Sequence, residues 1–124
     1  MGPRPALLDV VELLVDLPQR GLRAGDRGTV IDAYREGAFE IEFVTPSGET
    51  VASCPLSPDQ VLVVWQSETR SWVPADEQIA AIVARLPKDD EQEVLDFVRF
   101  LRARPRASAT VPSRLQPSLT DTKT

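Results

Sequence analysis

Ala24-Gly25-Asp26-Arg27-Gly28-Thr29-Val30-Ile31 reads as a turn that launches a strand. Two glycines supply freedom at positive φ, Asp26 can bond its own backbone, and Thr29-Val30-Ile31 is a β-branched run stiff at χ1. Toward the C-terminus, Gly28 to Tyr34 is the expected strand, and Arg35-Glu36-Gly37 is a tight turn that closes a hairpin with the next strand. That next strand, Ala38-Phe39-Glu40-Ile41-Glu42-Phe43-Val44, alternates apolar and acidic residues. Such alternation puts Phe39, Ile41 and Phe43 on one face and Glu40 and Glu42 on the other, the pattern of a half-buried strand.

Outward from this hairpin the same reading continues. Thr45-Pro46-Ser47-Gly48 has turn chemistry, Glu49 to Cys54 returns as a strand, and Pro55 to Gln60 suits a single 3₁₀ turn before the strand Val61-Leu62-Val63-Val64-Trp65. On the N-terminal side, Leu7 to Val15 has mixed periodicity, but its valines and the closely following Pro18 and Gly21 favour a strand ending in a loop. Five short strands within about 60 residues predict a mainly β unit, a small SH3-like five-stranded barrel over residues 1–66.

After a linker over 67–74 the period changes. Ile79, Ile82, Val83 and Leu86 recur at helical spacing, as do Val94, Phe97, Val98 and Leu101, with Pro87 between the two sets. This predicts a helical hairpin over 75–104. Asp89 followed by Gln92 suggests a capping box, with Asp90 and Glu91 in the first turn and Arg99, Arg102 and Arg104 toward the end of the second helix. From 105 to 124, Ala, Ser, Thr, Pro and Arg dominate, a composition that predicts a disordered tail.

Charge restricts the partners. The net charge is -5, and residues 1–66 hold five arginines against ten acids. Such a body is poorly suited to neutralising phosphates, so nucleic acid is a disfavoured partner. The segment Ala6 to Val15 is interrupted by Asp9 and Glu12, which fits neither a signal sequence nor a membrane span. One cysteine, Cys54, allows no intrachain disulfide, and a reducing, cytoplasmic setting is the expectation.

The sequence has no histidine, which removes the commonest general base and most zinc sites together. Cys54 has no histidine to activate it and reads as a buried structural thiol. Glu40 and Glu42 share a strand face at the spacing of a carboxylate pair, yet a solvated outer face is the better reading, because nothing nearby is suited to hold a metal or a sugar. Gly25 and Gly28 lack the strand-loop-helix context of a phosphate loop. No catalytic residue, cofactor or metal ligand is therefore expected, and the protein is read as non-enzymatic.

Partner contact is the remaining reading. Tyr34, Trp65 and Trp72 are aromatic candidates at strand ends and in the linker. Ile79, Val83, Phe97, Phe100 and Leu101 are candidates on the helices, because two short amphipathic helices need a third surface to cover their stripes. That surface would be the barrel, another protein or a second copy, the last giving a homodimer through the helical hairpin.

The run Leu8-Asp9-Val10-Val11-Glu12-Leu13, then Leu17-Pro18, Gly21-Leu22, Gly25-Asp26-Arg27-Gly28-Thr29-Val30 and Phe39-Glu40-Ile41-Glu42-Phe43, resembles the bacterial domain-of-unknown-function family numbered forty-nine twenty-six, over roughly residues 7–65. That resemblance implies an SH3-like barrel and carries no catalytic residues. Ile79 to Leu101, with Leu86-Pro87 and Glu93-Val94-Leu95-Asp96-Phe97-Val98-Arg99-Phe100-Leu101, is similar to the helical family of unknown function numbered twenty-two eighty-one, some of whose members are regarded as antitoxin-like. It implies an adaptor or antitoxin-like regulator of a partner protein. Two alternatives stand beside this. Gly25-Asp26-Arg27-Gly28-Thr29-Val30 also resembles the glycine-bearing turn of KOW-type domains, which implies an RNA- or ribosome-associated barrel, and the barrel is similar to that of nitrile hydratase subunits, which implies an accessory subunit of an enzyme complex.

Overall fold

The computed structural model describes residues 2–45 and 47–106. Six strands form one antiparallel sheet: β1 (Val10–Leu13), β2 (Arg27–Ala33), β3 (Phe39–Val44), β4 (Thr50–Leu56), β5 (Val61–Gln66) and β6 (Ser71–Trp72). Two helices follow, α1 (Ala75–Val83) and α2 (Lys88–Ala103). Across the open sheet the order is β4-β3-β2-β1-β5-β6. The expected five strands are thus joined by a sixth, inside the segment read as a linker. Two residues carry no readable alternation, and the pairing of Ser71 and Trp72 with Gln66 and Trp65 is what makes them a strand.

The described residues divide into two compact units, one ending at Leu86 and the other starting at Pro87. In the first, register follows from the apolar alternation: Val11 lies opposite Gly28, Val30 opposite Ile41, and Ile41 opposite Cys54. These side chains, with Leu13, Phe39, Phe43, Leu56, Val61 and Val63, share one buried cluster. β5 is apolar on both faces because both are covered. Val61 and Val63 enter that cluster, while Leu62 and Val64 pack with Ala81 of α1 and with Ile82. The Arg85 guanidinium also donates to the Val61 carbonyl at 2.9 Å. The sheet unit runs past residue 66 to Leu86 and takes in α1.

Gly28 corrects the reading of the opening turn. Positive φ belongs to Gly25, at 100°, and Gly28 lies in β2 without it. The constraint on Gly28 is close approach: a Cβ there would stand 2.7 Å from Ile41 Cγ2 and 2.8 Å from the Glu42 carbonyl oxygen. β1 is also shorter than the Leu7–Val15 run, since Leu8 takes a left-handed φ of 70° that strand geometry cannot continue through.

In the second unit, α2 begins at Lys88 with Pro87 as its N-cap. Asp89 is inside the helix and caps nothing, because the extended backbone of Pro87 has already set the start, and Gln92 donates to Asp96 instead. Asp89, Asp90 and Glu91 occupy the first turn, where negative charge complements the helix dipole. Beyond Arg106 the expected tail lies outside the described residues.

Candidate interaction surfaces

The first surface is built where β2 starts. Arg27 lies opposite Glu12 of β1 and pairs with its carboxylate at 3.9 Å. Its guanidinium also sits 5.5 Å from the ring centroid of Trp72, which is 60% exposed. Trp72 stays on the surface because the next residue, Val73, turns into the core and donates its N–H to the Val64 carbonyl. Trp65 stands opposite Trp72 across the β5–β6 pair, so two of the expected aromatic residues do come together. Arg27 continues the surface into a shallow groove of about 270 Å³, lined by Leu22, Phe43, Val44 and Val51 among others. Val44 and Val51 are each 49% exposed there, and composition alone could not single them out.

Tyr34 is placed elsewhere, at the β2–β3 turn. Its hydroxyl donates to Glu40 Oε1 at 2.7 Å, and Ser53 Oγ donates to Glu40 Oε2 at 2.6 Å. Those two bonds hold the Glu40 carboxyl below its ordinary range, Ser53 first and Tyr34 second. In return, the bond to Glu40 pushes the Tyr34 phenol up to about 12. Glu42 accepts separately from Thr50 Oγ1 at 3.0 Å. The acidic face of β3 is thus tied to hydroxyl groups of its neighbours, which accounts for its charges as local hydrogen-bond acceptors.

Two buried groups complete the sheet unit. Cys54 is fully buried, and that burial pushes its thiol up, away from nucleophilic behaviour. Asp9, at 2% exposure, was legible in the sequence only as an interruption of an apolar run. It accepts from the Ala6 N–H at 2.9 Å, the Ser67 N–H at 2.8 Å and Ser67 Oγ at 3.1 Å, fastening the entry to β1 onto the β5–β6 turn. Nothing local in the sequence announces a partner so many residues away.

On α1, Ala81 is buried, Ile79 is 56% exposed and Val83 is half-buried, so the expected stripe is only partly used. Among the described residues, none of α2 is buried. Val94, Phe97, Val98 and Leu101 form its stripe, with Phe97 at 59% exposure and stacked on Phe100 at a centroid distance of 6.1 Å. Arg104 lies over the Phe100 ring at 5.9 Å. Among the described residues, no helix is long and apolar enough to cross a membrane, and no three metal-ligating side chains cluster.

Residues 7–63 match the family model Domain of unknown function (DUF4926). The resemblance carried by Leu8 to Phe43 is thereby shown over that segment. The DUF4926 match takes in β1 to β4 and the first half of β5, together with the groove and the Tyr34–Glu40–Ser53 cluster. Trp65, Trp72 and both helices lie beyond it. No curated protein and no solved structure matches this chain.

Proposed function

We propose that the chain is a non-catalytic protein-interaction module, an adaptor or antitoxin-like regulator, whose docking element is α2. One observation carries the reading: a sixteen-residue helix with a continuous apolar stripe buries none of its residues. A helix stabilised in water by so little packing needs another surface for that stripe. Phe97 and Leu101 are its anchors, with Phe100 stacked on Phe97 beside the stripe, and Trp72 with Arg27 offers a second contact on the sheet unit.

The sheet unit is read as the scaffold. Its strand order, with β4 joined to β5 through the 3₁₀ turn Pro58–Gln60, supports an SH3-like arrangement of five strands to which β6 is an addition. The buried, unpaired thiol of Cys54 supports a reducing cytoplasmic location.

Retention on a tagged full-length chain tests the role. The wild type is expected to hold a defined protein, another species or an untagged copy of itself, in mild salt, and Phe97→Asp is expected to release it. Failure of the wild type to retain either would sink this reading.

A further inference from the structure

Charge is segregated along α2. Asp89, Asp90, Glu91, Glu93 and Asp96 precede the Phe97–Val98 step, with Lys88 at the first position, and Arg99 and Arg102, with Arg104 as the C-cap, follow it. About a centre between Phe97 and Val98, residues 91–104 are close to a charge-inverted palindrome: Glu91 matches Arg104, Glu93 matches Arg102, Asp96 matches Arg99, and Val94 matches Leu101.

Resting on the interaction reading above, we infer that the occupant of the α2 stripe is α2 of a second copy, running antiparallel. At about 100° per residue, Val94, Phe97, Val98 and Leu101 face one direction, with Glu91 and Arg102 along one flank and Glu93 and Arg104 along the other. A two-fold axis perpendicular to the helices keeps each flank against itself. Glu91 of one copy then meets Arg102 of the other, Glu93 meets Arg104, and each pair occurs twice. In the seam, Val94 lies over Leu101 and Phe97 over Val98. Parallel pairing would instead set acid against acid and arginine against arginine along both flanks. The antiparallel arrangement also opposes the helix dipoles favourably. Asp96 and Arg99 lie on the far side and already pair within the helix at 3.8 Å, so they take no part. Flanking charges of this kind select partner and orientation, while the apolar seam supplies the attraction.

Light scattering on the full chain, across the micromolar range, tests this directly. A concentration-dependent dimer is expected. Glu91→Arg with Glu93→Arg in one chain, and Arg102→Glu with Arg104→Glu in another, should each weaken self-association by about tenfold or more, since several flank pairs become repulsive at once. An equimolar mixture of the two variants should dimerise again. Orientation is read by crosslinking, with the native Cys54 buried and silent: Val94→Cys mixed with Leu101→Cys should form a disulfide faster than either alone. A monomeric wild type at a hundred or so micromolar, or fast self-crosslinking of Val94→Cys, overturns the proposal. Should the monomer still retain a different protein, the interaction reading stands without it, whereas a dimer that ignores the charge reversals refutes only the antiparallel pairing.

Discussion

The sheet unit and α2 use apolar residues in opposite ways. In the sheet, Val11, Val30 and Ile41 meet across neighbouring strands and are fully buried. Along α2, residues of equal hydrophobicity are arranged just as regularly and none is buried. Regular patterning is therefore evidence that a face exists and says nothing about whether its own chain covers it.

Four measurements sharpen or break that contrast, beginning with the greatest effect. Gly28→Val drives a side chain into Ile41 and the Glu42 carbonyl, and should cost the sheet unit about 3 kcal/mol in urea unfolding. An unchanged unfolding midpoint would mean that β2 and β3 are not packed at that separation. Asp9→Ala strips the acceptor from the Ala6 and Ser67 N–H groups, and about 2 kcal/mol of stability should go with it. If the loss is negligible, the clamp between the β1 entry and the β5–β6 turn is not holding the sheet.

The third measurement is a titration. Tyr34 is the chain's sole tyrosine, so its ultraviolet phenolate signal is unambiguous. Its midpoint should lie well above the free-phenol value of about 10, and Glu40→Gln should bring it back down. Because the folded value is raised, the stabilisation is complete below about 10 and fades as the pH climbs toward the folded value. Glu40 runs the other way: its depressed carboxyl stabilises the fold above the ordinary carboxylate range and stops doing so as the pH falls through its folded value. A wild-type Tyr34 that titrates normally would dissolve the cluster.

The smallest effect is predicted for the helix. Phe97→Ser should leave sheet-unit unfolding within about 0.5 kcal/mol of wild type, because the side chain is 59% exposed, while abolishing retention of the partner. A large loss of stability would place Phe97 in a core and erase the contrast between the two regions.

Much of this organisation was legible beforehand. The alternation from Phe39 to Phe43 announced β3 and its buried face, and the run from Val61 to Trp65 announced β5. Both helices were visible in their spacing, although α1 starts four residues before Ile79 and α2 takes its cap from Pro87. Short elements and long-range bonds were not legible. β6 has two residues and exists only through β5, and Asp9 finds Ser67 across most of the sheet unit. Of the site residues, Trp65 and Trp72 are neighbours by register, Tyr34 belongs to a different cluster, and Arg27, which joins Trp72 to the groove, looked like a turn residue.

By itself the sequence determined the strands with strong alternation, the amphipathic helices, the acidic charge and the absence of histidine, because these are properties of neighbouring residues. Only the tertiary structure decided that the sheet has a sixth strand, that α1 joins it through Ala81, and that Gly28 is required by Ile41 and Glu42. Those outcomes depend on which distant surfaces meet, and local periodicity specifies the face a segment offers without specifying what it will be offered to.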